Sequence, residues 1–123
     1  MNTALWCVQA VLAFAFGMAG VLKLVLGASE LKAKGNGRMD WVDDVSPASL
    51  KLIGALELAG ALGLILPMVT GIVPALTSAA AAGLALTMLG AIALHAKRGD
   101  ELQAFIINGV LLTLAAFVAW GRF

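Results

Sequence analysis

Glu57 is a single acidic residue in the middle of a long apolar run, which makes it the residue of this sequence best placed to do chemistry. The run extends about nine residues to either side, so a helix built from it would place the carboxyl near the centre of a bilayer. An acid at that depth costs on the order of 2.5–3.5 kcal/mol. We therefore expect Glu57 to face the interior of a helix bundle, where it can form an ion pair or act as a general acid or base.

Lys23 is the cation that could reach this carboxyl, since it lies about one turn inside the end of the first apolar run. Its ammonium could extend outward to the lipid headgroups. It could instead turn inward toward Glu57, because two long side chains can bridge the difference in depth of roughly 8–10 Å between the two Cα atoms. The sequence leaves both interpretations open.

His95 and Asn108 are polar residues in the two remaining apolar runs. His95 ends the third run, where it could be a solvated residue near the helix C-terminus or could face the bundle. Asn108 lies about two turns into the fourth run, where a buried amide commonly joins helices through hydrogen bonds. Together with Lys23 and Glu57, they supply one polar residue from each run. This pattern predicts a polar cavity in the bundle that opens toward one end.

Four apolar runs must position these side chains. They cover about residues 4–26, 48–66 (closed by Pro67), 71–94 and 102–121. Each is close to the roughly 20 residues that a helix needs to cross a bilayer. Of the 123 residues, 62% are hydrophobic and only 12% are charged, whereas soluble domains carry about 25% charged residues. The apolar excess predicts an all-α protein in the lipid bilayer: a four-transmembrane-helix up-down bundle in a single domain, residues 1–123.

The connections carry the signals of helix ends. The segment 27–46 is polar and predicts a loop, and Ser46 followed by a proline is typical of a helix N-cap. Asp100, with Gln103 three residues later, resembles a capping box that would open the last helix. The remaining connections are short, which favours antiparallel neighbouring helices.

Small residues recur at intervals of four within two of the runs, at Ala55, Ala59 and Gly63 and again at Ala79 and Gly83. Small side chains let helices in lipid approach closely, so these positions are candidates for the helix contacts. Spacings of this kind also arise by chance in helices rich in alanine and glycine.

The basic residues are distributed unevenly between the two sides of the membrane. One side holds seven, Lys23, Lys32, Lys34, Arg38, Lys51, Lys97 and Arg98, and the other holds only Arg122. The positive-inside rule therefore predicts that both polar loops are cytoplasmic and that both termini are outside.

Several classes of function are disfavoured by composition. A net charge of +1 gives no indication of a nucleic-acid partner. The single cysteine, Cys7, excludes an intramolecular disulfide and a Cys-x-x-Cys redox pair. No nucleotide-binding glycine motif is present, and one histidine is too little for a metal site. The sequence thus predicts no metal and shows no evident cofactor.

Taken in order, the polar residues and their neighbours resemble the DoxX-like family of small bacterial four-span membrane proteins. The matching pieces are Phe16–Leu24, Gly54–Gly60 with Leu66 and Pro67, His95, and Asn108 with Gly109. The resemblance implies location in a bacterial inner membrane. It also implies similarity to subunits linked to quinone-dependent thiosulfate oxidation and to proteins that appear with oxidative-stress functions.

The wider fold resembles two classes of small four-helix membrane enzyme. Vitamin K epoxide reductases are one, but their chemistry needs a cysteine pair that this chain lacks. Sterol isomerases of the emopamil-binding type are the other, and their proton transfer needs only groups such as a carboxyl, an imidazole and an amide around an apolar ligand. A shared fold does not determine function.

Three hypotheses follow. In the first, a hydrophobic small molecule, such as a quinone or an isoprenoid, binds in the bundle with its polar head near Glu57, His95, Asn108 and Lys23 as candidate catalytic residues. Glu57 would be the acid or base, and His95 would exchange protons with the cytoplasm. In the second, the chain is a noncatalytic subunit of a homodimer or a membrane complex. In the third, it transports protons or a small solute. The residues do not decide whether the chain is an enzyme.

Overall fold

Four long helices are the framework of the protein. The computed structural model describes residues 1–123, and its elements are α1 (Asn2–Val25), α2 (Ala28–Lys34), a 3₁₀ helix (Asp40–Asp44), α3 (Pro47–Thr70), α4 (Ala75–Arg98) and α5 (Leu102–Arg122). The helices α1, α3, α4 and α5 are long and apolar enough to cross a membrane. The predicted all-α bundle of four spans is therefore confirmed.

The two predicted helix starts have different outcomes. The Ser46 hydroxyl oxygen accepts a hydrogen bond from the backbone N–H of Ser49 at 3.1 Å, so Ser46 caps α3 as expected. The prediction that Asp100 caps the last helix is wrong. Glu101 is the N-cap residue of α5, and its side chain makes no capping hydrogen bond.

The end of α3 also differs from the prediction. We expected Pro67 to close the helix, but α3 continues through Pro67 to Thr70 and ends at Gly71, which has a φ of 73°. A proline inside a helix removes one intrahelical hydrogen bond. The Thr70 hydroxyl donates to the carbonyl of Leu66 at 2.7 Å, so another local bond supports the last turn. Gly71 then adopts the left-handed conformation that commonly ends helices.

The four spans pack around one apolar core, with α1 against α3 and α5, and α4 against α3 and α5. Every span contributes to this core, which consists of Leu12, Phe16, Ala61, Leu64, Ala81, Leu84, Met88, Ala115 and Val118. Many large apolar side chains point away from it, as Phe14 does with 70% of its surface exposed. An apolar outer surface of this kind is suited to lipid rather than to water.

The helices α1 and α3 approach most closely at Gly20 and Gly54. A Cβ atom added at Gly20 would lie 2.7 Å from the backbone carbonyl oxygen of Gly54, and one added at Gly54 would lie 2.8 Å from Cβ of Lys23. Both distances are too short for a real side chain, so only glycine permits this crossing. Ala55 and Ala59, in contrast, are exposed. Of the three candidate contact positions on α3, only Gly63 lies against another helix, where an added Cβ would lie 2.7 Å from Cβ of Ala80.

The segment predicted as a polar loop carries structure of its own. Helix α2 and the 3₁₀ helix fold over the end of the bundle and bury a small apolar cluster of Leu31, Val42 and Leu50. We call this end of the bundle, with residues 26–46 and the turn at 99–101, the loop end. The opposite end, with residues 1–2, 71–74 and 122–123, is called the terminal end. The loop end is thus closed by folded chain.

We predict that Gly20→Ala will destabilise the protein, whereas Gly17→Ala will not. Both replacements lie on α1 and gain the same helix propensity. A Cβ at Gly17 would lie 3.7 Å from Cβ of Ala61, which is an ordinary contact. At Gly20 it would push α1 and α3 apart, at a cost of about 1–3 kcal/mol. Unfolding in detergent with increasing dodecyl sulfate measures the difference, and equal stability of the two variants would contradict the close crossing.

Candidate functional site

Lys23 and Glu57 form an ion pair inside the bundle. The ammonium nitrogen Nζ of Lys23 lies 2.7 Å from Oε1 of Glu57, and the two side chains are only 9% and 5% exposed. Of the two interpretations that the sequence left open for Lys23, the inward one is observed. The glycine crossing one turn away brings the two helices close enough for the pair to form.

The carboxylate of Glu57 retains capacity to accept a hydrogen bond. Its Oε1 is buried, and no hydrogen-bond donor other than the Lys23 ammonium contacts it. A buried carboxylate normally needs several donors in addition to its counter-ion. Glu57 therefore offers a lone pair to a donor group that comes near it.

Trp41 covers the ammonium from the side of the loop. The Nζ atom of Lys23 lies 5.7 Å from the centroid of the Trp41 ring, within the range of a cation–π interaction. Trp41 belongs to the 3₁₀ helix, which the apolar cluster holds against the bundle. Lys51 of α3 also stabilises this region. Its ammonium donates a hydrogen bond to the carbonyl of Leu24 at 2.7 Å, near the C-terminus of α1. The ion pair is consequently closed off on its loop side.

His95 belongs to a second polar group, at the turn between α4 and α5. Its Nδ1 lies 2.7 Å from Oδ2 of Asp100, and Nε of Arg98 donates to the same oxygen at 2.9 Å. Arg98 also reaches Asp44 of the 3₁₀ helix, with Nη1 and Oδ2 2.7 Å apart. These contacts tie α4 both to the turn and to the loop.

Gly99 explains why Asp100 meets His95. The left-handed conformation of Gly99, with a φ of 72°, reverses the chain so that the backbone N–H of Asp100 donates to the carbonyl of His95. The carboxylate then lies beside the imidazole rather than over the start of α5. The hydrogen bonds from His95 and Arg98 hold the pKa of Asp100 below its ordinary value of 3.8. This pairing is the physical reason that Asp100 does not cap the helix.

Asn108 is not connected to either group. Its Nδ2 donates to the carbonyl of Ala104 on the same helix at 2.9 Å, and the residue is only half-buried. Of the four candidate residues, Lys23, Glu57 and His95 are buried. The structure brings Lys23 and Glu57 together, while His95 pairs with Asp100. Three potential metal ligands do not come together anywhere in the chain.

Two contributors to these groups were not singled out from the sequence. Trp41 lies in the segment that was predicted to be a polar loop, and Arg98 was counted only as a positive charge. Both act through long-range contacts of the loop. The adjacent acids Asp43 and Asp44 and the adjacent bases Lys97 and Arg98 were the available signal, and charged surfaces of many kinds contain such pairs.

We predict strong coupling between Lys23 and Glu57. Either Lys23→Met or Glu57→Gln should cost about 3–5 kcal/mol, because each leaves one buried charge without its partner. The double variant should cost much less than the sum of the two single losses, since it removes both charges. Dodecyl sulfate unfolding of the four proteins measures this cycle.

The exposed pair of Lys32 and Asp43, with side chains 45% and 54% exposed, provides the matched control. Lys32→Met should leave stability nearly unchanged, because water screens this pair. Additive losses at Lys23 and Glu57 would mean that their ion pair does not form in the folded protein.

We also predict that Asp100→Asn will lower the local stability of the loop end at neutral pH, so that its backbone amides exchange hydrogen faster. Because the pKa of Asp100 is lowered in the folded state, its contacts stabilise the protein above pH 3.8 and are lost as the pH falls through the lowered value. The difference in stability between the wild type and Asp100→Asn should thus shrink in acid. Hydrogen exchange of residues 40–44 and 95–100 across pH measures the effect, and a difference that grows below pH 3.8 would contradict it.

Comparison with known proteins agrees with the fold in indicating a small membrane protein with four spans. The family model described as the DoxX-like family matches residues 7–118, nearly the whole chain. No curated protein and no solved structure gives a significant match. With four membrane-spanning helices in one bundle and a match over almost its full length, the chain belongs to the DoxX-like family of multi-pass membrane proteins.

Proposed function

We propose that the chain binds a hydrophobic small molecule of the quinone or isoprenoid class, with its polar head at the ion pair of Lys23 and Glu57. The observation that supports this proposal is the buried Oε1 of Glu57, which has the Lys23 ammonium 2.7 Å away and no other hydrogen-bond donor. A hydroxyl of the ligand would donate to this oxygen. A carbonyl oxygen would accept from the ammonium of Lys23.

The chemistry available at this pair is proton transfer. Glu57 can accept a proton from the hydroxyl of a bound quinol or enol at Oε1, and Lys23 can stabilise the negative charge that then remains on the ligand oxygen. The surroundings are apolar, which strengthens both effects. His95 and Asn108 make no contact with the pair, so the proposal depends on Lys23 and Glu57 alone.

Ligand access would come from the lipid and would require the loop to move. Trp41 covers the ammonium, and the pair is almost fully buried. Apolar side chains surround the outside of α1 and α3, so a lipid-soluble molecule can reach this part of the bundle without crossing water. An opening of the 3₁₀ helix would then expose the pair.

The alternative is a structural role in a noncatalytic subunit. The feature that favours it is the same ion pair, since a closed pair between α1 and α3 pins the register of the two helices. In that case Glu57→Gln would reduce the amount of folded protein, and the folded fraction would bind ligands as the wild type does.

Membership of the DoxX-like family supports a location in a bacterial inner membrane, and the excess of basic residues at the loop end supports placing this end in the cytoplasm. Both termini would then be outside. A proton accepted by Glu57 would accordingly be nearer the cytoplasm than the outer surface.

Trp41 allows a direct test, because its ring lies beside the proposed site. In a protein with Trp6→Phe and Trp120→Phe, we expect a short-tailed benzoquinone to quench the fluorescence of Trp41 saturably. Glu57→Gln and Lys23→Met should weaken this binding about tenfold or more, because each removes a charge-assisted hydrogen bond. Lys32→Met should leave it unchanged.

The double variant Lys23→Met/Glu57→Gln keeps the test usable if the single variants fold poorly. Its neutral side chains should fold and should bind the quinone weakly. Quenching that rises linearly and equally in all variants would reflect partitioning into detergent and would refute the proposal.

A further inference from the structure

Arg122 forms a third polar group, at the terminal end of the bundle. Its Nε donates to Oε1 of Gln9 at 2.7 Å, and its Nη1 donates to Oδ1 of Asn2 at 2.7 Å. The guanidinium also stacks against Trp6, 5.3 Å from the ring centroid. The remaining nitrogen, Nη2, is buried and has no hydrogen-bond partner.

Gln9 fixes the position of this guanidinium. Gln9 is completely buried, and its Nε2 donates to the carbonyl of Leu64 on α3. Its Oε1 is thus held toward Arg122, which joins α1, α3 and α5 at one point. A guanidinium held by two neutral amides and an aromatic ring is pre-organised, so little conformational freedom remains for a ligand to remove.

No acidic residue of the chain is available to neutralise Arg122. The seven acids are Glu30, Asp40, Asp43, Asp44, Glu57, Asp100 and Glu101. None lies nearer the terminal end than Glu57, whose own partner is Lys23. The C-terminal end of α5 offsets only part of a positive charge. Arg122 forms no ion pair in the structure, either with a side-chain carboxylate or with the terminal carboxylate of Phe123, so its guanidinium can still pair with a further anion.

An apolar pocket of about 380 Å³ adjoins the guanidinium between α4 and α5. Its lining consists of Ala75, Ser78, Ala79, Ala82, Arg122 and Phe123. The Ser78 hydroxyl donates to the carbonyl of Ala119 at 2.7 Å, so the wall presents little polar surface beyond Arg122. A volume of this size is at the lower end for small-molecule sites.

From these observations we infer that the terminal end binds an anionic amphiphile, with a phosphate or carboxylate head on Arg122 and an acyl chain in the α4–α5 pocket. The head would accept hydrogen bonds from the guanidinium, including Nη2 once the adjacent side chains adjust. Basic pockets between helices on the cytoplasmic side of membranes hold anionic lipid heads, and the same charge attraction applies to an anionic lipid at the terminal end. Such a ligand could be a membrane phospholipid or a free fatty acid, which share this chemistry. This site is separate from the ion pair of Lys23 and Glu57.

Native mass spectrometry of the full chain in mild detergent tests this inference. Added phosphatidylglycerol and oleate supply the two sources of an anionic head, and phosphatidylcholine supplies a zwitterionic comparison. We expect saturable binding of at least one anionic amphiphile, and Arg122→Gln should weaken it about tenfold or more. Whichever of phosphatidylglycerol and oleate binds with the lower Kd identifies the source of the anionic head.

Two further variants complete the experiment. Arg38→Gln removes an exposed arginine at the loop end and should leave binding unchanged. Ala82→Leu fills the pocket from an exposed position without altering the guanidinium. It should weaken binding of the amphiphile even if Arg122→Gln fails to fold. Either of two results overturns the inference. The wild type does not bind an anionic amphiphile saturably, or a variant that folds, Arg122→Gln or Ala82→Leu, binds it as tightly as the wild type does.

Discussion

The ion pair between Lys23 and Glu57 is the interaction on which the rest of this structure depends. Hydrocarbon cannot hydrate a charge, so a carboxylate in the middle of α3 is tolerated only if a cation reaches it within the bundle. The cation comes from α1, and the two helices must cross closely for it to arrive. Gly20 and Gly54 provide that crossing, since any side chain at either position would collide with the opposing helix. The requirement to neutralise one acid thereby determines how α1 packs against α3.

The folded loop follows from the same requirement. Water that reached the pair from the loop end would solvate both charges and weaken their attraction. The 3₁₀ helix prevents this by placing Trp41 over the ammonium, and Arg98 holds that helix to α4 through Asp44. Folding of the loop and burial of the ion pair are thus coupled. Under the proposed function, movement of this short segment would control the access of a ligand to the pair.

The two ends of the bundle differ in the kind of charge that they can accommodate. At the loop end Lys32 and Arg98 form ion pairs with carboxylates, and the acid Asp100 is shared by His95 and Arg98. At the terminal end Arg122 is held by neutral amides and has no acid near it. The first arrangement neutralises its cations within the chain, whereas the second leaves a guanidinium without an acidic side chain beside it. A single small bundle can therefore offer two chemically different environments, separated by an apolar core.

The amino-acid sequence by itself determined that the chain is helical, that it has four spans, and which rare polar residues lie within them. Those properties follow from local composition, because lipid tolerates only long apolar helices with their backbone hydrogen bonds satisfied. Only the tertiary structure decided which polar residues meet. Lys23 turned inward, His95 joined Asp100, and Asn108 bonded to its own helix. These contacts depend on the rotation of each helix about its axis and on the geometry of the turns. The spacing of residues in the sequence determines neither. The small-residue repeats did not indicate the close crossing of α1 and α3 for the same reason: alanine and glycine occur on every side of such helices, and only the partner helix selects which of them make the contact.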